Sequence, residues 1–191
     1  MKKDYLGTLF LVVGNSGSGK DSIITGVVNK FPQTLKQIHI PKRYITRESS
    51  EFEKNIFISP DRFKEMEKNS RFALKWHIYE LDYGVPIEID EWLKKGHPVI
   101  INVSRTIIEN ARQIYSNIKV IFIEVPFEIT KKRIEDRARE SGKRLEERIE
   151  RARTHQKLPE ADFVVDNSDT LENAIEQFFN YLLKNIESDE K

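Results

Sequence analysis

The sequence predicts an α/β fold built on a parallel sheet, and three observations support this prediction. Short apolar runs rich in β-branched residues recur at 8–13, 98–103 and 119–125. Such runs are typical of strands that are buried on both faces. Segments with helical spacing of apolar residues separate them, and the first run leads directly into a glycine-rich turn. Strands that alternate with helices indicate a right-handed parallel sheet, which binds its ligand at the carboxyl ends of the strands.

The glycine-rich turn has the spacing of a phosphate-binding loop, with Gly14, Gly19 and Lys20 at the fixed positions. Small residues let successive backbone N–H groups turn towards an anion, and the helix that follows directs its positive end to the same place. We expect Lys20 to reach the β- and γ-phosphates of ATP. The predicted ATP contacts are Gly14, Asn15, Ser16, Gly17, Ser18, Gly19, Lys20, Asp21 and Ser22.

The residue after the lysine departs from the usual pattern. A Ser or Thr hydroxyl normally holds Mg²⁺ at that position, whereas this chain has Asp21 followed by Ser22. A carboxylate is also a good Mg²⁺ ligand, directly or through water. The change is therefore expected to alter the metal site without removing it, and Asp21 is a candidate Mg²⁺ ligand.

Composition limits the classes of partner and compartment. The 191 residues suit a single domain, and the net charge of +1 gives no bulk signal for nucleic acid or membrane binding. The absence of cysteine excludes disulfides and suits a reducing compartment, and the first apolar run is too short to span a membrane. We expect a cytoplasmic protein with small-molecule partners and with no nucleic-acid or membrane partner. The sequence leaves the oligomeric state open, with a homodimer as one option.

The alternation of strands and helices breaks down within residues 39–85. The first helix is expected from Ser22 to Lys30, and it ends there because Pro32 follows. The segment that follows has short, mostly antiparallel strands and a helix that Ser59 caps and Pro60 begins. We predict that it is an inserted lobe, beside the sheet, that binds the acceptor. Short strand-like pieces around Pro41, within 35–46, lead into it, its further strands are expected at 55–58, 71–79 and 81–85, and its helix extends to Lys68.

The second half returns to the alternating pattern. A long charged helical stretch at 128–156 is interrupted at Ser141-Gly142, and the arginine-rich interruption at 137–144 is predicted to be a lid over the phosphates. The core would then comprise 1–38, 86–136 and 145–191. Helices are expected at 87–95 (with Pro86 before it and Gly96 after it), 106–115 and 171–183, and a last strand at 163–165.

Several blocks of the sequence resemble the ribose 1,5-bisphosphate phosphokinases, a group of guanylate kinase-like enzymes. The most specific are the Gly-Lys-Asp-Ser end of the loop and the Arg-Tyr-Ile-Thr-Arg block at 43–47. The resemblance runs from about residue 8 to residue 180. It implies transfer of the ATP γ-phosphate to the 1-phosphate of ribose 1,5-bisphosphate, giving ADP and 5-phosphoribosyl 1-diphosphate, and an association with phosphonate breakdown. Further matching blocks lie at 74–77, 83–85, 88–90 and 102–105.

The guanylate kinases share this architecture, and their functional positions are only partly matched. The resemblance implies that Arg47 and Tyr83 bind an acceptor phosphate, and that Arg137 and Arg148 are lid arginines that act with Lys20 in catalysis. The positions that read guanine differ. Lys75, Arg43 and Ser104 replace a Glu, a Ser and an Asp, while Ser50 and Asn55 stand where that family has a further phosphate-binding Arg and Tyr.

These replacements have a chemical direction. Lys75 and Arg43 cannot accept hydrogen bonds from the N–H groups of guanine. A site that loses acceptors and gains cations suits a molecule with a second phosphate and no base. Asn102 ends a buried strand and would either orient Mg²⁺ or hydrogen-bond the loop. The predicted substrate contacts are Arg43, Arg47, Lys75, Tyr83, Asn102, Ser104 and Arg105.

Two other functions are compatible with the same fold. One is a guanylate kinase or another nucleoside monophosphate kinase, which would use the same loop with a different acceptor. The other is a guanylate kinase-like module that has lost catalysis and binds proteins. The loop lysine together with the lid arginines argues against the second, because a scaffold has no use for both.

Overall fold

The computed structural model describes residues 2–48, 55–136 and 142–187. Two residues named above, Ser50 and the lid arginine Arg137, lie outside these ranges, as does most of the predicted lid. The described strands are β1 (Leu9–Val13), β2 (Tyr44–Ile45), β3 (Ile56–Phe57), β4 (Phe72–Ile78), β5 (Leu81–Pro86), β6 (Val99–Asn102), β7 (Ile118–Glu124) and β8 (Phe163–Asp166). The described helices are α1 (Lys20–Lys30), α2 (Pro60–Lys68), α3 (Ile89–Lys94), α4 (Ile108–Ile114), α5 (Phe127–Asp136), α6 (Lys143–Thr154) and α7 (Leu171–Glu187).

The sheet that contains β1 confirms the predicted α/β class. In the described chain it is a parallel sheet of four strands in the order β6-β1-β7-β8. All five residues of β1 are fully buried, as expected for a strand covered on both faces. The pairing of β7 with β8 runs from Ile121 opposite Phe163 to Glu124 opposite Asp166. Because parallel strands end at the same edge, Glu124 and Asp166 mark the edge where such sheets bind ligands.

The second sheet forms within the segment predicted to be inserted. Its order is β3-β2-β5-β4, in which β5 pairs antiparallel with β2 and β4, while β2 pairs parallel with β3. Helix α2 begins as predicted, because Ser59 accepts a hydrogen bond from the Arg62 backbone N–H and Pro60 is the first helical residue. Its Phe63 stacks on Phe72 of β4, with ring centroids 4.6 Å apart. The helix therefore covers one face of this sheet.

The described residues divide into two compact units, and the division passes through β1. One unit contains Met1–Leu9 and Lys36–Ile118, and the other contains Phe10–Leu35 and Lys119–Lys191. In the first, buried Asp90 accepts hydrogen bonds from Lys3 (2.5 Å) and from the Tyr115 hydroxyl (2.7 Å), and burial raises the pKa of Tyr115. In the second, α1 packs on α7 and α5 packs on α6.

Helix α1 begins two residues earlier than expected, at Lys20 instead of Ser22, and two other expected helices begin later than predicted. Pro86 ends β5 instead of preceding a helix, because the pairing with β4 continues to Phe72 opposite Pro86 and the Ile87 N–H donates to the Arg71 carbonyl. Helix α3 consequently starts at Ile89. The segment expected as a helix from residue 106 begins with a 3₁₀ turn, Arg105–Ile107. The Ser104 hydroxyl caps this turn by accepting a hydrogen bond from the Thr106 backbone N–H. Among the described helices, none has the length and apolar content needed to cross a membrane.

Candidate nucleotide and acceptor sites

The phosphate-binding loop joins the buried end of β1 to the start of α1. Gly17 and Gly19 adopt positive φ angles of 82° and 85°, which glycine reaches without steric cost. Gly19 is also the N-cap of α1, so the helix begins at Lys20. The backbone N–H groups of that first turn, and the positive end of the helix, therefore lie at the loop. This is the arrangement that the glycine spacing predicts.

Lys20 folds back over the loop that precedes it. Its Nζ atom donates hydrogen bonds to the carbonyl oxygens of Gly14 and Asn15, each at 2.9 Å, and to the Ser18 hydroxyl at 3.3 Å. A Cβ atom at Gly14 would lie 2.8 Å from that hydroxyl and 2.9 Å from the Ile123 carbonyl oxygen. The close packing of the loop thus requires glycine at position 14. The hydrogen bonds of Lys20 hold its positive charge at the loop.

Asn167 supports the loop from the end of β8, and the sequence analysis did not identify it. Only 3% of Asn167 is exposed, and its Nδ2 donates to the Ser18 carbonyl at 2.8 Å. Its backbone N–H donates to the Glu124 carbonyl at 2.9 Å. A Cβ atom at Gly19 would approach the Asn167 amide to 2.8 Å. The available signal was a polar residue directly after a short strand of the parallel sheet, which is where α/β sheets place functional groups.

Arginines of the helices α5 and α6 reach the loop. Arg148 of α6 donates from Nη1 to the Ser16 hydroxyl at 3.1 Å, and Arg133 of α5 donates to the Gly17 carbonyl at 3.4 Å. The side chain of Asn15, predicted as an ATP contact, donates to carbonyl oxygens of Ala152 and His155. Of the predicted catalytic residues, the structure therefore brings Lys20 and Arg148 to the same loop.

Asp21 and Ser22 are exposed residues in the first turn of α1. Within the described ranges, no three His, Asp or Glu side chains form a group that could hold a metal. Mg²⁺ in phosphate-transfer sites is commonly held by one or two carboxylates together with substrate phosphates and water. The hard oxygen atoms of Asp21 and Ser22, beside the loop, are the kind of ligand that this mode of binding needs. The residues present therefore fit Mg²⁺ carried with a nucleotide.

The predicted acceptor contacts all lie in the other unit, and one group of them surrounds the end of β6. Arg43 donates from Nη1 to the carbonyl oxygen of Asn102, the last residue of β6, at 2.5 Å. Ser104 follows two residues later and caps the 3₁₀ turn that starts at Arg105. That turn packs against β4. The structure thus brings Arg43 to the segment that carries Asn102, Ser104 and Arg105.

Tyr83 and Arg47 lie along β5 and the end of β2. Tyr83 is opposite Ile45 on one side and Trp76 on the other, and its ring stacks on Trp76 with centroids 5.2 Å apart. The Thr46 backbone N–H donates to the Asp82 carbonyl at 3.2 Å, and the Asp82 backbone N–H donates to the Thr46 hydroxyl at 2.9 Å. These bonds hold the turn that carries half-buried Arg47 against the start of β5.

Lys75 is not brought together with Tyr83. The register pairs Lys75 with Gly84 and Trp76 with Tyr83, so Lys75 and Tyr83 are on opposite faces of the sheet. The Lys75 side chain is 54% exposed and forms an ion pair with Glu67 of α2. A role for Lys75 at the acceptor stays a prediction, and this geometry does not favour it.

A glycine-rich loop between a buried strand and a helix, with a lysine folded over it and an arginine from a second helix against it, defines the phosphate-binding-loop class of nucleotide-binding proteins. A family model described as guanylate kinase matches residues 7–185. The chain therefore belongs to the guanylate kinase family, and within it to the ribose 1,5-bisphosphate phosphokinases that it matches over most of its length.

Three relatives, each named ribose 1,5-bisphosphate phosphokinase PhnN, illustrate this match. The protein of Bradyrhizobium diazoefficiens is 38% identical over 76% of this chain and 73% of its own length. The protein of Pseudomonas paraeruginosa is 33% identical over 92% of this chain and 95% of its own. The protein of Klebsiella pneumoniae is 34% identical over 92% of each. The resemblance stated from the sequence blocks is confirmed.

Solved structures agree on the fold. The crystal structure of guanylate kinase from Anaplasma phagocytophilum superimposes with a TM-score of 0.68, covers 95% of this chain and 87% of its own, and is 18% identical. A sugar kinase from Janibacter sp. HTCC2649 gives a TM-score of 0.52 over 92% of this chain and 94% of its own, at 20% identity. At these identities the likeness concerns the fold, and it confirms the predicted guanylate kinase-like architecture.

Proposed function

We propose that the protein transfers the γ-phosphoryl group of ATP to the 1-phosphate of ribose 1,5-bisphosphate, yielding 5-phosphoribosyl 1-diphosphate and ADP. The observation that carries this proposal is the match along most of the chain to relatives named for this activity. The contacts of Lys20 and Arg148 with one loop support it, because phosphoryl transfer depends mainly on cations placed around the transferred group.

The chemical step needs no covalent intermediate on the protein. An oxygen of the acceptor 1-phosphate attacks the γ-phosphorus, the new P–O bond closes the diphosphate, and the bond to the β,γ-bridging oxygen breaks to release ADP. A phosphate near neutral pH is already largely ionised, so no general base is required to remove a proton from it. The backbone N–H groups of the loop and Lys20 would hold the β- and γ-phosphates, while Arg148 would stabilise charge on the transferred group.

Mg²⁺ is assigned to the nucleotide side of the site. When bound, it would neutralise charge on the β- and γ-phosphate oxygens. Asp21 and Ser22 are the residues that would hold it, directly or through water, because their oxygen atoms stand in the first turn of α1 beside the loop.

The acceptor is assigned to the residues around the end of β6 and along β5. Arg43, Arg47 and Arg105 supply cations, and a guanidinium suits phosphate because its donors form paired hydrogen bonds. Tyr83 and Ser104 supply hydroxyl donors. This set lacks the carboxylates that read guanine and suits a ligand with two phosphates.

An acceptor comparison tests the proposed function. The purified protein is incubated with ATP and Mg²⁺ together with either ribose 1,5-bisphosphate or GMP, and ADP is measured by a coupled assay. We expect rapid ADP formation with ribose 1,5-bisphosphate and little with GMP, because Arg43 cannot accept hydrogen bonds from the N–H groups of guanine. ADP formation with GMP alone would replace the proposal with the nucleoside monophosphate kinase function.

The acceptor assignment predicts a defined effect of Arg43→Ala. We expect the KM for ribose 1,5-bisphosphate to rise by about 10- to 100-fold, because a charge-assisted hydrogen bond contributes about 1.5–3 kcal/mol. The KM for ATP should change little, since the loop lies in the other unit. Arg62→Ala is the matched control, because Arg62 is an exposed residue of α2 paired with Glu65 at 2.6 Å. Equal behaviour of the two variants would remove Arg43 from the acceptor site.

A further inference from the structure

The side chain of Asn15 contacts α6, although Asn15 is a residue of the phosphate-binding loop. Its Nδ2 donates to the His155 carbonyl at 3.0 Å and to the Ala152 carbonyl at 3.3 Å. Ala152 lies in the last turn of α6, and His155 is its C-cap residue. The last carbonyls of a helix have no partner within the helix. Asn15 therefore supplies side-chain donors to the C-terminal end of α6.

The same helix places Arg148 at the neighbouring loop residue. Arg148 is one helical turn before Ala152, and its Nη1 donates to the Ser16 hydroxyl at 3.1 Å. The backbone carbonyl of Asn15 also accepts the Lys20 ammonium at 2.9 Å. Residue 15 thus contacts both the loop lysine and the helix that carries the arginine.

The amide also has an electrostatic effect at this place. The C-terminal end of a helix carries partial negative charge, which disfavours a phosphate nearby. Two donors from Asn15 satisfy carbonyls at that end of α6 while fixing the helix against the loop. An isosteric carboxylate would present oxygen atoms to the same carbonyls and repel them.

We propose that Asn15 is a positioning residue for phosphoryl transfer: it fastens the end of α6 to the loop and so holds Arg148 in place. This rests on the proposed function, in which Arg148 stabilises the transferred group. The effect of Asn15 on the reaction is therefore exerted through Arg148.

The first test compares two substitutions with a matched control. In Asn15→Ala we expect kcat to fall by about 10- to 100-fold, because small displacements of a catalytic group cost factors of this size. The KM for ATP should change little. Asn15→Asp should lose at least as much. The control is Asn185→Ala, which removes the same kind of bond, from an Asn amide to the Tyr181 carbonyl at 2.8 Å, within α7. Loss of kcat equal to that of the control would overturn the proposal.

A double variant separates positioning from direct contact. If Asn15 acts through Arg148, adding Asn15→Ala to Arg148→Ala should lower kcat little further, because coupled residues are not additive. An undiminished loss in the Arg148→Ala background, or a loss that falls on the KM for ATP, would mean that Asn15 contacts the nucleotide itself.

Hydrogen exchange gives a result that does not depend on activity. The Asn15→Ala variant should exchange the backbone amides at 151–155 faster than the wild type, and Asn185→Ala should not. If the wild type is active and the exchange in Asn15→Ala is unchanged, the positioning role of Asn15 is overturned while the proposed function stands. A wild-type protein that forms no ADP from ribose 1,5-bisphosphate would overturn the proposed function, and the exchange result would still decide the link.

Discussion

Lys20→Ala should lower ATP turnover on the order of 10³-fold or more while the fold stays intact. The reason is that the Lys20 ammonium, whose Nζ lies 2.9 Å from each of two loop carbonyls, is the cation that we expect to contact the β- and γ-phosphates. Turnover is measured as ADP release with saturating ribose 1,5-bisphosphate, and folding by circular dichroism and thermal unfolding.

Lys30→Ala is the control for this prediction. Lys30 is in the last turn of the same helix, is exposed, and forms ion pairs with Glu172 and Glu176. Exposed pairs of this kind contribute about 0–1 kcal/mol to stability, so the variant should be folded and active. Retained turnover in Lys20→Ala would refute the assignment of the loop.

Arg148→Ala should lower kcat by about 10³-fold, with a smaller effect on the KM for ATP. An arginine that meets the transferred phosphoryl group acts mostly in the transition state, and such arginines contribute factors of about 10³–10⁵. Arg148→Lys keeps one charge but loses the planar pair of donors, so we expect it to restore only part of the activity. Single-turnover kinetics separate the chemical step from product release.

Arg153→Ala tests whether any arginine of α6 would have the same effect. Arg153 is five residues later, is about 60% exposed, and pairs with Glu150 at 3.7 Å. It should keep nearly full activity. Similar losses in both variants would show that the charge of the helix matters and not the contact of Arg148 with Ser16.

The parts of the fold that local signals specify were predictable. The apolar run before the loop became β1, the glycine spacing produced the turn at Gly19, and Ser59 with Pro60 began α2. These signals act within a few residues of chain, so they do not depend on distant contacts. Asn102 likewise ends β6 as expected.

The supports of the loop were not predictable, because they join distant residues. The contact of Asn15 with Ala152 spans 137 positions, and that of Asn167 with Ser18 spans 149. Such contacts depend on which helix and strand meet the loop after folding, and composition and periodicity do not encode that. The spacing of the loop indicates that a phosphate is bound and not which side chains hold the loop in shape.

Lys75 shows a different limit. Its neighbour Trp76 stacks on Tyr83, which is a predicted acceptor contact, so the block around 74–77 places Lys75 next in the chain to a residue that touches such a contact. Successive residues of a strand point to opposite faces, and the pairing with β5 directs Lys75 towards α2. The position in the block was predictable, whereas the face depends on a register that only the folded sheet defines.

The hydrogen bond between Asn167 and Ser18 has a consequence for biosynthesis. A ribosome adds about 5–20 residues per second, so a delay on the order of ten seconds separates the translation of Ser18 from that of Asn167. During that interval the nascent N-terminal segment lacks this partner, and it also lacks Ala152 and His155 until they emerge. Nucleotide in the cell would therefore stabilise this loop fully only after Asn167 has been translated.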